Sequence, residues 1–458
     1  MPVIPRSGVC AMTLPPRPEL SSAQQTLQWM TRPYGFLEEC AATLGETFAL
    51  DFRGYGVGVI FSSPEAIQEV LGGDPEVFWA GAGNGILKPF LGENSLLLLE
   101  GERHRRERKL LMPSFGRGRV QAYGELIHRV TQEICREWAF DAPFAVRPSM
   151  QKVAFRLIIE MVFGPERTER RQRLSRAFAA VLDDELFNLA LLSQRAGGEA
   201  AGARWAQFVG QLDELSALIY EEIDERRTED QQARGDILAV LLEARDEEGQ
   251  PMLREEIHDE VLTLMATGHE STATALAWGI YWLLSSPQVY ARARREMLAL
   301  GEACTGGQIA QSAYLEAVVK EILRLTPVIP VIARQVQREV KVGGYTLEPG
   351  MVAMPAIYLA HRRAEVFEEP ERFWPERFLD RTYRSHQFLP FGGGVRRCIG
   401  ARLAMYEMKI VLGTLLRNVD LELAGERALR PVRRLVTIAP SGGTQVVRRR
   451  ESALCESP

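Results

Sequence analysis

Paired cysteines are missing from this 458-residue chain. The six it has, Cys10, Cys40, Cys135, Cys304, Cys398 and Cys455, include no CxxC pair and are scattered. That argues against a disulfide framework and against zinc or iron–sulfur ligation, and it fits a reducing compartment. No run of about 18 apolar residues occurs, so no transmembrane helix is expected. The opening MPVIPRSGVCAMTLPPRPEL lacks the charged-then-apolar layout of a signal peptide, which points to a cytoplasmic protein. Basic charge is not in surplus either: a formal net charge of −5 argues against a general nucleic-acid binder. Internal repeats, low-complexity blocks and recognisable linkers are absent. The expected layout is a Pro-rich lead-in over 1–17, a single domain over 18–450 and a tail over 451–458.

What is present is the make-up of a globular protein with a substantial core: 46% hydrophobic and 25% charged residues. Helical periodicity dominates from about Gly116 to Leu325, broken at RTEDQQARGD and EARDEEGQP. Strand-like alternation occurs at TFALDFRGYGVGVIFS (residues 47–62) and at VKVGGYTLEPGMVAM, with turns at Gly343-Gly344 and Pro349-Gly350. A last hairpin is expected between RRLVTIAP and TQVVRRR around Ser441 to Gly443. Strands at both ends with helices between them predict one mainly α fold with a smaller β portion (α+β).

Residues 254–286 read as one helix of roughly 50 Å, interrupted by the polar stretch TGHEST, Thr267 to Thr272. Gly268 costs about 1 kcal/mol in a helix interior relative to alanine. Buried hydroxyls need partners, so two liabilities at one spot suggest that something approaches the helix there. Thr267 and Ser271 share a face, with Glu270 beside them; a hydroxyl backed by a carboxylate can hold water and relay protons. Glu321 and Arg324 lie three apart on an apolar helix, where they form either a surface pair or, with Arg377 of PERF, a buried network. In GERHRRERKLLMPSF, His104 and Arg108 share a helical face. They form either a solvated basic surface or a grip on a ligand's carboxylates. FGGGVRRCIG surrounds Cys398 with glycine and positive charge ahead of a helical pattern. It is a turn with a small buried cysteine, or a thiolate loop against something large and flat.

Taken in order, these pieces resemble the cytochrome P-450 superfamily, the haem-thiolate monooxygenases, over almost the whole chain. Phe391, Gly394, Arg396, Cys398 and Gly400 stand at the defining positions of its cysteine loop. TGHEST is similar to its oxygen-activating helix stretch, EILR and PERF to its Glu–x–x–Arg network, and GERHRRER to its propionate-binding helix. The resemblance implies haem b with Cys398 as the metal ligand, held also by His104, Arg108, Gly268, Arg334, Phe391, Gly392, Arg396 and Gly400. It implies that the Cys398 thiolate is stabilised by backbone N–H groups and by the following helix. Gly392, Gly393 and Gly394 would let the backbone pass close to the macrocycle. Glu270, Ser271 and Thr272 would serve oxygen activation. Ser271 stands where many members carry threonine, which keeps the hydroxyl but loses the methyl that restrains it, so more uncoupling to peroxide is expected.

The implied reaction inserts one oxygen atom of O₂ into a C–H bond or alkene while the other becomes water. Electrons would come from a ferredoxin or flavodoxin with its NAD(P)H reductase, docked on Arg105, Arg106, Lys109, Arg397 and Arg402. Family topology implies a lipophilic substrate (fatty acid, terpenoid or polyketide-like) in a pocket lined by Ile86, Phe90, Leu91, Thr267, Val328, Ile329, Val331 and Gly442. Further walls would come from the segment around Phe187, Leu191 and Leu192. A same-fold peroxygenase, isomerase or dehydratase, or a non-catalytic haem-binding protein, are the alternatives.

Overall fold

The structure is a computed structural model that describes residues 14–165, 169–182, 199–231, 234–425, 428–434 and 436–450. The expected wall residues Phe187, Leu191 and Leu192 lie outside the described residues, as do Cys10, Cys455 and the tail over 451–458.

The helix read from TGHEST's surroundings is continuous from Arg254 to Leu284, 31 residues, or about 46 Å. Glu255 and Glu256 occupy its first turn, where carboxylates suit the positive end of the helix dipole. Glu256 also accepts the Leu253 N–H at 2.8 Å. Ile257, Val261, Met265, Ala273, Leu276, Ala277 and Ile280 are all at most 3% exposed, so the helix is buried on most of its faces. Around it lie the helices Gly124–Arg136, Val146–Phe163, Ala313–Leu325 and Ala401–Asn418, whose apolar stripes join it in the main core. Each large side chain buried there contributes roughly 1.5–3 kcal/mol.

Twelve strands form the β portion among the described residues: β1 (Thr47–Phe52), β2 (Gly56–Phe61), β3 (Phe78–Trp79), β4 (Pro143–Ala145), β5 (Arg334–Val336), β6 (Val340–Val342), β7 (Tyr345–Leu347), β8 (Val352–Pro355), β9 (Asp420–Leu423), β10 (Pro431–Arg434), β11 (Thr437–Pro440) and β12 (Gln445–Arg449). The largest sheet runs β1-β2-β8-β5-β3, parallel only between β2 and β8. The hairpin expected across Ser441 to Gly443 is not formed. Instead β11 pairs with β10, and β12 pairs with β4 and β9. The Ser441–Gly443 turn, with Gly442 at φ +65° and Gly443 at φ +70°, carries the chain from one sheet to the other. Trp278 in the central helix donates its indole N–H to the Ile438 carbonyl at 2.8 Å, which ties that turn's approach strand to the core.

Candidate active site

The loop before the helix Ala401–Asn418 is fixed by its own backbone. Gly392 N–H bonds Leu389 O, Arg397 N–H bonds Gly394 O, and Cys398 N–H bonds Phe391 O at 2.9 Å. Phe391 is partly buried against the main core. Gly392 and Gly394 adopt φ +67° and +65°, where side chains other than glycine are strained. A Cβ on Gly394 would lie 2.0 Å from the Leu71 carbonyl oxygen, and one on Gly393 would press on Leu71 Cδ1. Gly393 and Gly394 therefore also serve close contact with the helix Pro64–Gly72. Gly268 is similar: a Cβ there would meet Ile158 Cδ1 at 3.3 Å, so the close neighbour is the helix Val146–Phe163.

The sulfur has an unusual environment. Cys398 is exposed, yet burial pushes its thiol pKa up, against the opposing pull of the Gly400 and Ala401 N–H groups, Arg108 and Arg397. Both hold if the sulfur opens onto a space deep inside the protein. Gly400 is the N-cap of an 18-residue helix, so the first free N–H groups and the positive end of the dipole meet at the thiol.

Four basic side chains from three separate segments converge on one another, and one of them, Arg108, also acts on the sulfur. His104 is 4% exposed, and burial together with the charges of Arg396, Arg108 and Arg334 pushes its pKa down to about 3. Arg334 is 8% exposed, and burial and Arg396 push it down to about 10. Arg396 is tied to the Glu100 carboxylate and to the carbonyls of Leu96 and Leu99. Arg108 donates to the Arg397 carbonyl at 2.7 Å. The cluster thus sets three guanidiniums and an imidazole against one carboxylate. Such a donor set calls for further anionic oxygens, and a ligand with two carboxylates would supply them. Glu100 was not singled out from the sequence, because an acidic residue at a helix start reads as an ordinary dipole partner.

In the central helix, Ala266, Thr267, Gly268, Glu270 and Ser271 lose the cover their neighbours enjoy, and Thr267 is exposed. Ser271 donates to the Thr267 carbonyl at 2.6 Å, and Thr267 donates to the Thr263 carbonyl at 2.7 Å. The Glu270 carboxylate does not join them. It accepts from Arg147 at 2.6 Å, Gln151 at 3.1 Å, Thr274 at 3.0 Å and Thr437 at 3.3 Å. Thr272 is 5% exposed and lies off the row of Thr267 and Ser271. Arg147 and Gln151 carried no sequence signal, since their partner is distant in the chain.

Glu321 and Arg324 are fully buried, with Arg324 reaching both carboxylate oxygens at 2.7 and 2.9 Å. Arg377 and the Trp374 N–H complete the carboxylate's shell at 3.2 and 2.8 Å. The remaining guanidinium protons go to the carbonyls of His361, Pro370, Arg372, Glu368 and Glu369. His361, unremarked in the sequence, accepts the Leu389 N–H at 3.0 Å on Nε2, so Nδ1 carries the proton toward the Arg324 carbonyl at 3.2 Å. Through it the network holds the start of the cysteine loop.

Among the expected wall residues, Thr267 and Gly442 are exposed, and Ile329 and Val331 are half-buried. Phe90, Leu91 and Val328 are buried in the main core. The Ile86 side chain lies outside the described residues. The expected basic docking patch is also reduced. Arg105 pairs with Glu102, Lys109 pairs with Glu247, and Arg106 turns inward to Glu107, Asp246 and Glu256. Arg397 and Arg402 stay exposed, with no carboxylate partner among the described residues, near exposed Met112 and Val395.

An accessible cysteine at a helix N-terminus, a basic cluster that calls for two carboxylates and a notched central helix together fit haem b, and so define a haem-thiolate protein. A family model described as Cytochrome P450 matches residues 13–446. Two Mycobacterium tuberculosis proteins, provisionally named cytochrome P450 135B1 and 135A1, are 36% and 31% identical; the matches cover 96% and 94% of this chain, and 92% and 94% of theirs. Among solved structures, cyanobacterial CYP120A1 with retinoic acid bound has a TM-score of 0.83 at 23% identity, covering 96% of this chain and 100% of its own. The cytochrome P450DA heme domain has 0.86 at 22%, covering 96% and 98%. The chain belongs to the cytochrome P450 family. It is a monooxygenase, an oxidoreductase that binds haem b through a cysteine thiolate. No helix among the described residues is long and apolar enough to cross a membrane.

Proposed function

We propose that Cys398 would hold the haem iron, that His104, Arg108, Arg334 and Arg396 would receive the haem carboxylates, and that the protein hydroxylates or epoxidises a lipophilic small molecule. Bound there, a haem-thiolate supplies the activation of O₂ that no side chain can. The chain's residues do the rest. Gly400 and Ala401 hold negative charge on the sulfur. Ser271, anchored on the Thr267 carbonyl, offers a hydroxyl that can pass a proton. Thr267 narrows the opening, and half-buried Ile329 and Val331 offer apolar surface to a substrate. Glu270, engaged by four donors, anchors the helix Val146–Phe163 and β11 to the central helix.

The single observation that carries this reading is the exposed thiol at a helix N-terminus beside four converging basic groups. Electrons would arrive from a ferredoxin or flavodoxin and its NAD(P)H reductase, on the face presenting Arg397, Arg402, Met112 and Val395. The experiment is turnover of a fatty-acid and terpenoid library, chosen by haem spin-state shift, under isotopically labelled O₂. One labelled atom in the product is expected. Product without label, or formed without reductant, assigns the fold to an isomerase, dehydratase or peroxygenase instead.

A further inference from the structure

The central helix carries a polar line that continues beyond Ser271 toward its N-terminus. Glu260, Thr263, Thr267 and Ser271 recur at spacings of three, four and four, so they share one face over about 17 Å. Glu260 and Thr263 are buried, Ser271 is half-buried and Thr267 is exposed, so the line runs from the interior to the uncovered middle of the helix. Each hydroxyl is engaged: Ser271 donates to Thr267 O at 2.6 Å, Thr267 to Thr263 O at 2.7 Å and Thr263 to Asp259 O at 2.7 Å, with the Ser95 hydroxyl also 2.7 Å from Thr263 Oγ1. At its far end the line meets carboxyl groups. Glu260 is 0% exposed; its Oε1 accepts the Leu96 N–H at 2.7 Å and its Oε2 has no partner. Glu107, on the helix Gly101–Leu111, is 2% exposed, and its Oε2 also has no partner.

Two buried carboxyl oxygens without donors, in a region rich in acids, call for protons. The groups facing them are Arg106, Arg103, Glu256, Asp259, Asp246 and His258. Arg106 is shared between Glu107, Asp246 and Glu256. His258 bonds Asp259 at 2.9 Å, and Asp259 also accepts from Asn94. Arg103 reaches Asn94. The acids outnumber the cations, and Arg106, Glu107's partner, is the half-buried link to the surface.

We propose that Glu260, recharged through Glu107 and Arg106's surface, is the proton store for oxygen activation, delivering through Thr263 and Thr267 to Ser271. This rests on the monooxygenase reading above and names the source its protons come from. Each turnover joins O₂, substrate, two electrons from the redox partner and two protons into hydroxylated product and water. Each proton leaves a Glu260 oxygen, and each hydroxyl in line accepts one on its free lone pair while releasing its own. Successive hydroxyls stand about 6 Å apart along the axis, so transfer between them requires one water in each gap. Burial and Glu107 raise the Glu260 pKa well above the usual carboxylate range, and burial and Glu256 push Glu107 up to about 7. Glu270 is engaged by Arg147, Gln151, Thr274 and Thr437 and not by the hydroxyls of this line.

The test compares wild type with Glu260→Gln and Thr263→Val, all with haem loaded. The first readout is the infrared carbonyl stretch of a protonated carboxyl at pH 7, independent of turnover. The Glu260 component, read as the difference from Glu260→Gln so that other protonated carboxyls cancel, should be present in wild type and Thr263→Val. The second is the partition of electrons between product and peroxide with its solvent deuterium isotope effect. Both variants should divert flux to peroxide about tenfold or more. A wild type without the Glu260 band overturns the proposal, as does a Thr263→Val enzyme that couples as wild type does. Should Glu260→Gln fail to fold, Thr263→Val and Glu107→Gln decide. A wild type that makes no labelled product in any assay overturns the monooxygenase reading, and the infrared band then still shows separately whether Glu260 holds a proton.

Discussion

Arg147 Nη2 stands 2.6 Å from Glu270 Oε1, joining the first turn of the helix Val146–Phe163 to the middle of the central helix. Their side chains are 8% and 17% exposed, so the pair is largely desolvated and each charge depends on the other. Removing one partner should therefore be far worse than removing both. Arg147→Met should lower stability by about 3 kcal/mol in chemical denaturation, and Arg147→Met with Glu270→Gln should recover most of that loss. A double variant no better than Arg147→Met would show that the pair is not coupled and that Glu270's restraint comes from Gln151, Thr274 and Thr437 instead.

Replacing Cys398 with serine keeps the loop's backbone bonds but removes the thiolate donor. The reduced, carbon-monoxide-bound protein should then lose the red-shifted Soret maximum of thiolate ligation while secondary structure by circular dichroism stays intact. Retention of that maximum in Cys398→Ser would assign the ligand to another cysteine, and Cys40, Cys135 and Cys304 are all buried.

What the sequence made legible was whatever depends on near neighbours in the chain. Thr267 and Ser271 share a face because they are four apart, and Glu321 meets Arg324 because they are three apart. Arg147 lies 123 positions from Glu270, and nothing in local periodicity joins them. The same limit hid why Gly394 must be glycine, since the obstacle is a carbonyl of Leu71 from another element. The final hairpin failed for a related reason: a Ser-Gly-Gly turn signals a reversal of the chain but not which sheet receives the next strand. The pairing of the basic patch was not legible because charge in a sequence shows no partners, and Arg106's three acids lie in different segments.

Glu107 gives stability a pH dependence whose direction is fixed. Its pKa rises from 4.5 to about 7 on folding, mainly through burial and the nearby Glu256. The folded protein thus binds a proton that the unfolded chain has released over that window. Stability is full below about pH 4.5 on this account and is lost as pH rises toward 7, by at most roughly 3 kcal/mol. Glu107→Gln, which cannot ionise, should flatten the profile and be relatively more stable at pH 8 than at pH 5.5. Urea denaturation at the two pH values measures it. An unchanged slope in the variant would mean that the carboxyl stays neutral or paired throughout.

Electron delivery gives the last prediction, and two substitutions separate its physical causes. Arg402 is an exposed charge, so its contribution to partner encounter acts over distance and is screened by salt. Val395 is 55% exposed on the cysteine loop, where an apolar side chain acts only on contact. Arg402→Glu should slow reduction by an acidic ferredoxin about tenfold at low ionic strength, and the deficit should shrink as salt rises. Val395→Asp should slow it at every ionic strength, because desolvating a carboxylate in the interface costs free energy that salt does not restore. Stopped-flow reduction rates across a salt series distinguish the two. If Val395→Asp reduces as fast as wild type, the partner does not touch the cysteine loop, and the electron must enter from another face.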